Sequence, residues 1–202
     1  MMHLYFLLFS LPVSVGFSAG PVYDESTAEE IIKSAKLNGL NCEKIEASGC
    51  SYTECIGVVG NYPQPVLITI PEKSNSLRVH FHGHLLGLPE TVPYEESLSG
   101  MVKAFGVQKS LCASSEVTVF PGSTGKNTTY KEFFKDKVSY TQFFKDVQMT
   151  LGNNIKDSPL HLSAHSGGGK YVTEALNAEI KASKVSIFDG IYSSETKDSL
   201  KK

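Results

Sequence analysis

The sequence predicts an α/β fold, a mostly parallel sheet of about six strands with helices on both faces. Three observations carry that expectation. Short β-branched or aromatic runs recur at Ile56–Val59, Val66–Ile70, Leu77–His82, Glu116–Phe120, Leu160–Ala164 and Val185–Phe188. Segments of helical period lie between the later runs. Gly, Pro and Asn punctuate the joins. Strands that alternate with helices are joined by crossovers, which makes neighbouring strands parallel.

The elements follow in order. Residues 1–19 contain no Lys, Arg, Asp or Glu and end in Gly16-Phe17-Ser18-Ala19, the pattern of a signal peptide cut after Ser18 or Ala19. The n-region has no basic residue, so an uncleaved anchor is the alternative reading. Residues 20–202 then form one domain, of which 20–55 are an N-terminal helix and a cysteine-rich connection. Ser26–Lys36 reads as a short capped helix closed by Asn38-Gly39. Gly60–Pro65 turns the chain between the first two strands. Glu95–Phe105 is an expected helix, and Tyr140, Phe143, Phe144, Val147 and Leu151 fall on one helical face. Tyr130–Asp136 and Tyr140–Asp146 share the pattern Tyr-x-x-Phe-Phe-Lys-Asp and read as similar amphipathic helix, not as a repeat array. A last helix is expected from Gly168 to Lys181.

Composition excludes several functions. The net charge is -2, and Arg78 is the one arginine among nineteen basic residues, so bidentate phosphate clamps are scarce and no nucleic-acid partner is expected. No segment after the leader has the roughly 18 apolar residues of a membrane span, so a soluble mature protein, secreted or periplasmic, is expected. Cys42, Cys50, Cys55 and Cys112 make an even set, which in an exported chain favours disulfides. One bridge is expected within 42–55 and a second from that segment to Cys112, although sequence leaves all three pairings open. Asn127-Thr128-Thr129 is a glycosylation acceptor.

The chemistry concentrates in Leu160-His161-Leu162-Ser163-Ala164-His165-Ser166-Gly167-Gly168-Gly169, a strand running into a serine between small residues and then into a helix. A serine on so sharp a turn crowds the residues two before and two after it, and Ala164 and Gly168 are small enough. The turn lifts the hydroxyl off the sheet and aims the helix N-terminus at it, with the amide of Gly167 placed for a developing oxyanion.

Here the chain resembles the α/β-hydrolase family, whose Gly-x-Ser-x-Gly elbow reads Ala164-His165-Ser166-Gly167-Gly168. The resemblance covers roughly residues 56–192. It implies that the His82-Gly83 step opens the loop donating a second oxyanion amide, from Gly83, His84 or Leu85. It also implies that Asp189, released at the end of Val185–Phe188, orients the catalytic histidine. No histidine follows Asp189 in the sequence, so the C-terminal strands and the general base of such a sheet are missing from these residues. The implied activity is cleavage of an ester, thioester or amide through an acyl-Ser166 intermediate, on a small-molecule or acyl substrate and without a cofactor. The alternative is a non-catalytic binding protein on the same scaffold.

Other residues have plainer expected roles. His82, His165, Gly122 and Ser123 are pocket candidates, and His161 is expected to be a packed strand residue. His80, His82 and His84 share one strand face and form a rival metal constellation, but the carboxylates such a site needs are missing, so no metal is expected. Phe120–Asn127 and Ala164–Tyr171 lack the leading glycine and the Ser or Thr after lysine of a phosphate loop.

Overall fold

The computed structural model describes residues 25–47, 49–74, 76–83, 114–123, 130, 133–156 and 158–188. Helix α1 (Glu25–Leu37) ends where Asn38 and Gly39 turn the chain, with Gly39 at φ 87°. Strands β1 (Asn41–Ala47), β2 (Cys50–Gly57) and β3 (Val66–Pro71) form an antiparallel meander. Strands β4 (Ser76–Phe81) and β5 (Glu116–Pro121) follow, then helices α2 (Lys137–Leu151) and α3 (Asn153–Lys156). Strand β6 (Leu160–His165) runs through a 3₁₀ turn (Ser166–Gly168) into α4 (Gly169–Asn177), and β7 (Lys184–Phe188) closes the described part.

The seven strands make one mixed sheet in the order β1-β2-β3-β5-β4-β6-β7. β5, β4, β6 and β7 are parallel, whereas β1, β2 and β3 pair antiparallel and β3 joins β5 antiparallel. The α/β expectation therefore holds in the half of the sheet that carries the elbow, and the meander makes the whole sheet mixed. The seventh strand, β1, corrects the reading of 41–47 as a connection. Its sequence Asn-Cys-Glu-Lys-Ile-Glu-Ala has no apolar run, and what fixes it in the sheet is long-range pairing with β2.

Within that pairing Cys42 faces Cys55, and the two form a disulfide. Cys50 is disulfide-bonded too, with its partner outside the described residues, where the expected Cys112 lies. A second correction concerns Tyr130–Asp136. Its described residues are not helical, because the Asp136 side chain accepts from Ser139 N and Ser139 Oγ answers at the Asp136 backbone, so α2 starts only at Lys137. The last helix also stops earlier than expected, at Asn177 instead of Lys181. The expected Glu95–Phe105 helix lies outside the described residues.

The two faces of the sheet differ. Val66, Ile68, Ile70, Leu77, Val79, Phe81, Val117, Val119, Leu162 and Ala164 join one core with side chains of α1, α2 and α4. Phe134, Phe143, Tyr62, Tyr130, Tyr140 and Tyr171 fill it with edge-to-face and stacked rings. Strand alternation sends Glu116, Thr118, Arg78, His80, His161, Ser163 and Ser186 to the opposite face.

Candidate active site

Register brings the elbow and its neighbour loop together. Phe81 pairs with Ala164 in the parallel β4–β6 ladder, so the chain leaves both strands side by side at their C-terminal ends. His82 and Gly83 follow β4, and His165 and Ser166 follow on β6. Phe188 pairs with His165, so β7 ends at this edge as well. Ligands of open α/β sheets bind at this edge.

Ser166 takes φ 51°, one of two non-glycine residues with positive φ among those described. Left-handed backbone at a serine costs about 1–2 kcal/mol and persists only where the surroundings enforce it. The enforcement is visible at two glycines. A Cβ at Gly168 would lie 2.0 Å from the Phe81 carbonyl oxygen and 3.0 Å from that of His82, so the 3₁₀ turn presses directly on the end of β4. A Cβ at Gly83 would lie 2.7 Å from Ser166 Cβ and 3.0 Å from the His165 carbonyl oxygen. Gly83 is therefore packed against the serine itself. Ser166 and Gly167 are half-buried at the mouth of this seam, and Gly168 and Gly83 are buried beneath it.

His82 supports the Gly83 side. Its Nδ1 lies 2.7 Å from the Gly83 carbonyl oxygen, and because a carbonyl only accepts, Nδ1 carries the proton and Nε2 the lone pair. Burial lowers its pKa to about 4 against the opposing pull of the Gly83 carbonyl, so the ring is neutral near pH 7. Its Nε2 is buried without a hydrogen-bond partner among the described residues. Tyr130 donates from Oη to the His82 carbonyl at 3.4 Å, while its own N–H donates to Tyr171 Oη at 3.0 Å. Tyr130 thus ties the β4 exit to α4. Sequence reasoning missed it, because only the fold brings that segment under His82.

The remaining candidates are placed as follows. His165 is exposed at the edge, and its Nδ1 lies 3.2 Å from the position a Gly83 Cβ would take. Gly122 and Ser123 are buried at the end of β5 on the same edge. Gly122 donates to the Pro65 carbonyl at 2.9 Å and accepts from Tyr62 Oη, so its backbone anchors the β5 exit. His80 holds Ser163 Oγ at 3.0 Å and stands edge-on to Phe120. Burial, then the charges of His82, Arg78, His165 and His161, lower its pKa to about 3. Among the described residues no three His, Cys, Asp or Glu side chains converge as a metal site. His84, Leu85 and Asp189 lie outside the described residues. His161 is buried in the sheet, as expected of a packed strand residue, and it also carries hydrogen bonds.

No protein-family model and no curated protein matches the chain. Among solved structures it is similar to a carboxylesterase from Bacillus subtilis, at 16% identity over 79% of this chain and 47% of that one, with a TM-score of 0.37. It is also similar to a poly(3-hydroxybutyrate) depolymerase from Bordetella parapertussis, at 12% identity over 80% of this chain and 54% of that one, TM-score 0.40. Lipase A from Candida antarctica gives 13% identity over 73% of this chain and 40% of that one, TM-score 0.38. The chain spans about half the length of these structures.

Proposed function

We propose that this chain is an exported serine hydrolase that cleaves an ester, thioester or amide of a small-molecule or acyl substrate through an acyl-Ser166 intermediate. One observation carries the reading: a serine at φ 51°, between a parallel strand and a helix, wedged by two glycines that have no room for a Cβ. A merely structural turn has no need to hold a serine in left-handed backbone when glycine would adopt it freely.

In this reaction Ser166 Oγ attacks the substrate carbonyl and gives its proton to a general base. The carbonyl oxygen becomes an oxyanion that accepts hydrogen bonds from Gly167 N–H and from the Gly83–Leu85 loop. The bond to the leaving group then breaks, the leaving group takes up the proton, and water hydrolyses the acyl-serine by the same steps in reverse. Asp189, the residue after β7, is assigned to orient a histidine base. Neutral His82 acts through Gly83 as a positioning residue. The charge-free leader and the Cys42–Cys55 disulfide support export.

The test is hydrolysis of p-nitrophenyl acetate by the full chain, with and without added imidazole to substitute for a base. An initial burst of one nitrophenolate per chain, accelerated by imidazole and reduced about a thousandfold in Ser166→Ala, is expected. Equal turnover by the wild-type and Ser166→Ala proteins would reject the reading in favour of a binding protein.

A further inference from the structure

The sheet face opposite the described helices carries a second polar array, at the other end of β6 from the elbow. His161 is the second residue of β6, and Ser166 lies five residues further along, about 16 Å at the rise of a strand. His161 Nε2 lies 3.0 Å from Ser186 Oγ on β7, and His161 Nδ1 lies 2.9 Å from Glu116 Oε1 on β5. The other Glu116 oxygen is ion-paired with Arg78 Nη2 on β4. A serine, a histidine and a carboxylate are thus joined in one line across the sheet, each on its own strand and held by the strand register.

We propose that Ser186 is a second nucleophilic hydroxyl, a modification site that takes an acyl group from an activated ester, with His161 as its base and Glu116 as the positioning residue. The proposal does not rest on the reading of Ser166. The Ser186 oxygen forms a bond to the ester carbonyl carbon, and its proton passes to His161 Nε2. The ester C–O bond then breaks, His161 returns the proton to the leaving alkoxide, and the products are acyl-Ser186 and an alcohol.

The step needs the tautomer with the proton on Nδ1. Arg78 Nε also lies 3.1 Å from His161 Nδ1, so Nδ1 could accept from the arginine or donate to the glutamate. If it accepted, its lone pair would face that of a carboxylate oxygen at 2.9 Å. Donation to Glu116 removes that clash and forms a charge-assisted bond; it requires the Arg78 Nε–H to swing off Nδ1 while Nη2 keeps its pairing with the glutamate. In that tautomer Nε2 is the acceptor facing the Ser186 hydroxyl. The His161 side chain is only 3% exposed, whereas Ser186 is half-buried on a strand at the end of the sheet order. A dry base beside a reachable hydroxyl is the arrangement a nucleophile requires. Burial lowers the His161 pKa; the hydrogen bond and charge of Glu116 oppose that, and Arg78 and Lys184 add to it. The ring is therefore unprotonated at neutral pH.

A mid-strand serine lacks an elbow, and each missing oxyanion donor costs roughly a hundredfold or more in rate, so Ser186 should react far more slowly than Ser166. The experiment uses the folded full-length Ser166→Ala protein, exposed for hours to a fluorophosphonate and mapped by peptide mass spectrometry. An adduct on Ser186 is expected, reduced about a hundredfold in Ser166→Ala/His161→Gln. Glu116→Gln, which preserves shape, should reduce it less, and ¹⁵N shifts of His161 should show the proton on Nδ1. An unmodified Ser186 in the Ser166→Ala protein, or equal labelling with and without His161, would overturn the proposal.

Discussion

At Ser166 the backbone conformation, not the side chain, is the unusual element. Because φ 51° suits glycine and strains other residues, Ser166→Gly should be more stable than Ser166→Ala by about 1 kcal/mol in urea unfolding, with both inactive. The flanking glycines separate stability from reactivity. Gly168→Ala drives a methyl to 2.0 Å from the Phe81 carbonyl oxygen, backbone that cannot move aside, and should cost about 3 kcal/mol. Gly83→Ala meets Ser166 Cβ at 2.7 Å on a segment that has already left its strand. It should cost less stability than Gly168→Ala, because the neighbour that must shift is a side-chain atom, and slow acylation of Ser166 about a hundredfold, because a small displacement of reacting groups is enough to do so. The elbow was legible in the sequence because sterics dictate its residue types. The packing of Gly83 on the serine was not, since it depends on the register between β4 and β6.

Among the elements, the parallel strands were legible because each is a short β-branched run, and β4, β5, β6 and β7 lie within a residue or so of their expected positions. β1 was not, because a half-exposed edge strand can be polar on both faces and owes its place to its partner. That partner is held covalently as well. Replacing Cys42 and Cys55 by alanine should lower stability by about 3 kcal/mol, the entropy of closing a loop of 13 residues, read from the urea midpoint. Labelling of Ser166 should be unchanged, because β3, β5 and β4 intervene between the bridge and the elbow. Helix α2 shows the limit of periodicity. Its apolar face was readable, but the described residues of the similar segment before it are not helical because Asp136 is committed as the cap.

At the scale of the molecule, among the described residues, one sheet face is an apolar core and the other holds His80 and His161, while His82 lies past the end of β4 against Tyr130; burial opposes protonation of all three. His80 and His82 titrate near 3 and 4 in the folded chain, below the ordinary value of 6.5. Between these values the unfolded chain binds protons that the folded chain does not, so stability is full above about pH 6.5 and falls as pH drops toward 4. Urea midpoints across that range should decline steadily on acidification, and a flat profile would mean that these rings are not buried as described. The sequence showed His80 and His82 on one strand face, with His82 as a pocket candidate and His161 as a packed strand residue; which of them meet was not legible, because the ladder decides it. The hydrolase account itself turns on whether the hydroxyl at the end of β6 is presented to substrate. The most direct measurement is brief treatment of the native full-length chain with a fluorophosphonate, followed by peptide mass mapping. A single rapid adduct on Ser166 is predicted, and a folded chain whose Ser166 peptide stays unmodified would contradict it.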